Sequence, residues 1–61
     1  MDIQALRKRL DMTQSQFAIA YQVPIDTLRD WEQGRREPSG ASRALLAAIE
    51  REPETMRRLL A

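Results

Sequence analysis

TQSQFAIAYQVPIDTLRDWEQGRREP, residues 13–38, is the stretch on which the fold of this chain turns. Read at helical period, its apolar residues fall at Phe17, Ala18 and Tyr21 in one segment and at Leu28 and Trp31 in the next, with Val23 between. Phe17 and Tyr21 are four apart and Leu28 and Trp31 three apart, so each pair shares a helix face and the two faces can close on a common core. Ala18 is the small residue that allows a close approach. The pattern predicts two amphipathic helices joined by a tight turn.

Local signals place their ends. Thr13-Gln14-Ser15-Gln16 has the form of a capping box, with the Thr13 hydroxyl accepting an amide proton and Gln16 reaching back, so a helix is expected from Gln14. Its first turn offers free amides and the positive end of the helix dipole, which suits a phosphate oxygen. Pro24 has the φ of a first helical turn and lacks only a donor that turn does not need, so it can open the second helix. Gly34 is the natural left-handed cap at the other end. Burial of Leu28 and Trp31 then turns Ile25, Asp26, Arg29, Asp30 and Gln33 outward as a short ridge. A row of donors and acceptors on a protruding helix is what reading the major groove requires.

Before this stretch, Ile3, Leu6 and Leu10 recur at helical spacing behind Asp2, a plausible cap, and predict a first helix packed on the central pair. Arg7-Lys8-Arg9 is read as its solvated face with an Arg7 to Asp11 pair, phosphate contact being the alternative. After it, Pro38-Ser39-Gly40 breaks the chain, and Ser39 caps a fourth helix from Ala41 to about Arg51 whose Leu45, Ala48 and Ile49 face the core. Pro53 forces Glu52 out of helical geometry and opens a fifth helix to Leu60. Eight residues do not hold a helix alone. Met56, Leu59 and Leu60 therefore need a surface, either the chain's own core or a second copy; Arg57 and Arg58 are read as solvated.

The composition excludes much. The 61 residues contain no cysteine and no histidine, which removes disulfides, zinc fingers, thiol nucleophiles and imidazole bases, so neither a metal nor another cofactor is expected. No apolar run approaches the roughly 20 residues of a membrane span, and no leader is apparent, so a cytoplasmic, nucleoid-associated chain is expected, with no membrane partner. One all-α domain over residues 1–61 is expected, marginally stable unless a partner adds burial. The net charge is only +1, but nine of the ten basic residues are Arg, the side chain that makes bidentate contacts to phosphate and guanine. Bulk charge cannot carry nucleic-acid binding here; local placement and two copies would have to.

Gln14 to Gln33 closely resembles the helix-turn-helix of the phage repressor and Cro family, also called XRE or lambda-repressor-like. Phe17, Ala18, Tyr21, Val23, Leu28 and Trp31 match the family's buried positions, and Trp31-Glu32-Gln33-Gly34-Arg35 matches its usual ending. One departure is Gln22, where the family commonly has glycine at a turn position of positive φ; a non-glycine residue there costs roughly 1 kcal/mol or more. The resemblance implies a five-helix DNA-binding domain. It also implies backbone contacts from Gln14 and from the loop with Arg35 and Arg36. On the same surface Thr27, Gln33 and Arg43 are expected at the backbone, and the outward ridge of Ile25, Asp26, Arg29 and Asp30 is expected to read bases.

Each of these residues also has a plainer reading. Gln14 is otherwise a solvated first-turn residue, and Ile25 either meets a thymine methyl or packs on the turn. Asp26 favours the helix dipole, pairs with Arg29, or accepts from a cytosine amino group. Arg29 is the residue expected to read a guanine, against an internal ion pair with Asp26 or in the neighbourhood of Asp30. Arg35 and Arg36 either pair with Glu32 or meet the sugar-phosphate backbone. Ser39, Ser42 and Arg43 could add a phosphate contact, although capping explains Ser39. Trp31 is read as core rather than a stacking platform.

The first functional expectation is a dimeric repressor on double-stranded DNA, occupying a pseudo-palindromic operator. The run Trp31 to Gly40 and the Leu45-Leu46 to Glu52-Pro53-Glu54 ending are most similar to HigA-type antitoxins, which implies autoregulation of a toxin operon and a toxin protein as partner. The second expectation is a helical protein-interaction module that kept the fold without specific DNA binding, favoured by Asp26, Asp30 and the near-neutral charge. An enzyme ranks third, because no nucleophile and base converge.

Overall fold

A computed structural model describes all residues from 1 to 61. Five helices follow one another: α1 Ile3–Arg9, α2 Gln14–Tyr21, α3 Ile25–Gln33, α4 Gly40–Arg51 and α5 Pro53–Leu60. There is no strand. α2 packs on both α3 and α5, α1 closes on α3, and α4 lies against α5.

The caps are those the sequence signals. Asp2 accepts from the Ala5 amide at the start of α1. Thr13 and Gln16 complete both halves of the capping box on α2, at 3.1 and 2.8 Å. Ser39 accepts from the Ser42 amide on α4. Gly34 closes α3 in the left-handed region at φ 75°. Gln22 takes the same region at φ 56° as the cap of α2, so the turn between α2 and α3 has the geometry glycine would adopt freely. Its side-chain amide donates to the Leu60 carbonyl at the end of α5. Pro24 is the N-cap of α3 rather than its first helical residue. Asp11, in the turn after α1, also has positive φ, at 59°.

Phe17, Tyr21, Leu28, Leu46 and Ile49 are the largest fully buried side chains, joined in the core by Ile3, Leu6, Ala18 and Val23. The Phe17 and Tyr21 rings meet at 4.9 Å between centroids, tilted by 56°, which adds to their burial a favourable edge-on contact. Trp31 is half-buried against this cluster. α4 departs from the expected face: Leu46 fills the centre, Leu45 packs at its edge, and Ala48 is only half-buried. Leu46 lies three residues before Ile49 and shares its stripe, so the helix is turned to bring that pair inward.

Arg7 corrects the reading of α1. It is not solvated and does not pair with Asp11; it is buried, 9% exposed as a whole residue. Its Nε and Nη2 donate to the two oxygens of Glu32 at 2.8 and 2.9 Å, and Nη1 donates to the Met12 carbonyl at 3.0 Å. Lys8 and Arg9 are exposed, as expected. The physical reason is positional: Arg7 is four residues after Ile3 and one after Leu6, on the edge of the stripe that faces α3.

Candidate nucleic-acid interface

Two elements build the site. α3 presents its outer face, and the first turn of α2 stands beside it because the left-handed turn at Gln22 folds one helix against the other. Asp26 lies in the first turn of α3, where its charge favours the dipole, and its side chain is 92% exposed. One turn on, Arg29 is half-exposed, with Nη1 3.7 Å from Asp26 Oδ1 and Nε donating to Gln14 Oε1 at 3.3 Å. Gln14 thereby joins the two helices at the surface.

Ile25 and Asp30 are less exposed than a simple outward ridge would have them. Ile25 is half-buried against the core, because Leu28 three residues on shares its face. Asp30 faces the loop after α3: Oδ1 is 3.2 Å from Arg35 Nε and Oδ2 is 3.6 Å from Arg36 Nη2. The two loop arginines therefore pair with Asp30 and not with Glu32, whose carboxylate is engaged by Arg7 on the opposite flank of the helix. Both remain about two-thirds exposed, so the pairs are weak by themselves. Arg36 and Arg43 border one hollow together with Trp31 and Glu37, which places a cation of the loop beside one at the start of α4. Thr27 is half-buried and Gln33 exposed.

The electrostatic centre lies underneath. The Glu32 side chain is 3% exposed, and its carboxyl is held below the usual glutamate range. The Arg7 hydrogen bonds lower it most, burial opposes them, and the bond from Gln14 lowers it further. The same pair raises Arg7 against the desolvation of its guanidinium. No buried side-chain polar atom lacks a partner, so the pair is satisfied rather than strained. The signal that could have found it was Arg7 at the spacing of Ile3; nothing local could have named Glu32, which is 25 residues away.

Away from this surface, Met56 and Leu60 lean on the core and Leu59 is 71% exposed. Tyr21 donates from its hydroxyl to the Pro53 carbonyl at 3.0 Å and pins the start of α5; burial raises its ionisation above the usual phenol value. No helix is long and apolar enough to cross a membrane.

Comparison with known proteins agrees with this architecture. A helix-turn-helix family model matches residues 3–49. The crystal structure of an HTH XRE-family like protein from Agrobacterium tumefaciens superposes with a TM-score of 0.96 at 43% identity, over 98% of this chain and 97% of that one. Antitoxin HigA-2 of Vibrio cholerae serotype O1 is 36% identical over 55 residues, 90% of this chain. The chain spans about half the length of that relative, 53%. With α1 to α3 and all but the last two residues of α4 inside the matched region and the central turn in the expected conformation, the chain belongs to the XRE-type helix-turn-helix family of DNA-binding regulators.

Proposed function

We propose that this chain is a sequence-specific repressor that places α3 in the major groove and occupies a pseudo-palindromic operator as a homodimer. The observation that carries the reading is Arg29, half-exposed on α3 and braced by Gln14 from the first turn of α2. A guanidinium presented this way suits the two acceptors of a guanine edge. Asp26 and the edge of Ile25 stand beside it for neighbouring bases. Gln14, Thr27, Gln33, Arg35, Arg36 and Arg43 surround them as backbone contacts. Asp30 serves the same site from behind, holding Arg35 and Arg36.

Dimerisation supplies what one copy lacks. At a net charge of +1 a monomer has little bulk attraction for DNA, and two reading helices one turn of DNA apart, about 34 to 36 Å, multiply the local contacts. The exposed Leu59 of α5, with Met56 and Leu60, is the surface for that contact. The likeness to an antitoxin supports an autoregulatory role in a toxin-antitoxin operon, with a toxin protein as a further partner in the cytoplasm.

Selection of bound duplexes from random DNA tests the reading. The expected product is an inverted repeat with half-sites one helical turn apart. In follow-up titrations, Arg35→Ala and Arg36→Ala each weaken all sequences alike and reduce the salt slope by about one. Asp26, Asp30 and the modest charge favour a second reading, a protein-interaction module; no enrichment at low salt would establish that one instead.

A further inference from the structure

One polar chain crosses three helices beneath the reading surface. Glu32 Oε1 accepts from Arg7 Nη2 at 2.9 Å and also from Gln14 Nε2 at 3.2 Å, while Glu32 Oε2 accepts from Arg7 Nε at 2.8 Å. A carboxylate can only accept, so the Gln14 amide can meet it only through its NH2 group. That fixes the sense of the amide. With the nitrogen against Glu32, the carbonyl oxygen points outward, where it accepts from Arg29 Nε at 3.3 Å. A reversed amide would set oxygen against carboxylate and NH2 against guanidinium, and both bonds would be lost.

We infer that Glu32, too deep to reach a base itself, sets the orientation of the Arg29 guanidinium through Gln14, and is therefore a positioning residue for base recognition. The link to base recognition rests on the regulator reading; the orientation itself does not. Because Nε is the donor engaged by Gln14, the guanidinium is oriented from its inner side. Nη2 is unengaged and Nη1 is held only by the exposed 3.7 Å pair with Asp26, which leaves the terminal nitrogens open to a two-pronged approach to a base. Arginine otherwise loses substantial rotamer freedom when it is immobilised in a complex, and a side chain already held loses less. Gln14 thus acts as an adapter between a buried anion and a surface cation, beyond any contact of its own with a phosphate.

The test begins without DNA. In the NMR spectrum of the free protein, the Arg29 Nε–H resonance is expected to be displaced from those of Arg51 and Arg58, which have no side-chain partner, and to exchange more slowly. Gln14→Ala should return it to theirs. Alanine is a good helix former at this first-turn position, so the variant stays folded, and Gln14→Met repeats the comparison with a side chain of similar length and no amide. An Arg29 resonance unchanged in both variants overturns the inference. On DNA, Gln14→Ala should flatten the preference at the base pair that Arg29→Ala also loses, by about tenfold or more, and should do nothing further there in the Arg29→Ala background. A loss shared equally by all duplexes, with that preference intact, would mean Gln14 meets only phosphate and would also overturn it. If the unaltered protein prefers no sequence, the regulator reading falls and the NMR comparison alone decides the orientation of Arg29.

Discussion

α2 and α5 are each eight residues long, yet opposite means hold them in the molecule. α2 buries Phe17, Ala18 and Tyr21, has a side-chain cap at its start, and is tied to α1 and α3 through Gln14 and the Arg7–Glu32 pair. α5 buries no residue fully and has no side-chain cap; it leans on the core through Met56 and Leu60. Its two hydrogen-bonded pins, Tyr21 to Pro53 and Gln22 to Leu60, both come from the far end of α2. α5 thus depends on α2, while the bracing of α2 to α1 and α3 involves no residue of α5. The contrast separates a rigid frame around α3 from a lightly attached edge that still carries exposed apolar surface.

The sharpest way to break that contrast is Glu32→Gln. Neutralising one half of a largely buried pair leaves the Arg7 guanidinium without its counter-ion, though still bonded to the Met12 carbonyl, a cost of up to about 3 to 5 kcal/mol. A domain of this size has only about 3 to 9 kcal/mol in total, so the variant should be largely unfolded at room temperature in mild urea, as followed by Trp31 fluorescence. A loss below about 1 kcal/mol would show that the frame does not need its buried ions. Acid probes the same pair in the unaltered protein. Because the folded carboxyl lies below its ordinary value near 4.5, the stabilisation is fully present above that pH and is lost as pH falls through the lower, folded value.

Leu59→Asp tests the edge. The residue is 71% exposed in the monomer, so thermal stability at high dilution should barely move. Self-association measured by sedimentation equilibrium should weaken about tenfold or more if the side chain is buried between copies. An unchanged association constant would remove Leu59 from the dimer contact.

The smallest effect is expected at Gln22. Gln22→Gly relieves a left-handed residue, a gain of about 1 kcal/mol, and removes the bond to Leu60, a loss of similar size. Net stability should change by less than about 0.5 kcal/mol, while amide exchange in the last turn of α5 accelerates and that of α2 and α3 stays as it was. Faster exchange throughout would mean that α5 is not a separable edge.

What the sequence made legible was whatever is written within a few residues. The cap at Asp2, the capping box at Thr13, the left-handed Gly34, the cap at Ser39 and the break at Pro53 are local chemistry, and the five helices follow from such signals within one residue at their starts. The left-handed turn at Gln22, by contrast, was implied only by the family resemblance. The pairing of Phe17 and Tyr21 with Leu28 followed from helical spacing. What stayed hidden needed the fold. Arg7 looked like one of three surface cations, because its partner is 25 residues away. The sequence does not choose Leu46 over Leu45, because a rotation of one residue in α4 leaves no mark in an alanine-rich pattern with two adjacent leucines. Within the site, Arg29 was singled out from its place on the helix, but its tie to Gln14 was not, since a surface glutamine carries no sign of which way its amide faces.

The grip of Asp30 on Arg35 and Arg36 has a consequence for selectivity against the cell's many other polyanions. Any phosphate that approaches this loop competes with a carboxylate already seated there, so binding exchanges one anion for another instead of filling an empty charge. Loose, sequence-blind association is weakened by that exchange. On the regulator reading, residence on a given stretch of DNA then depends on contacts that only a matching sequence provides.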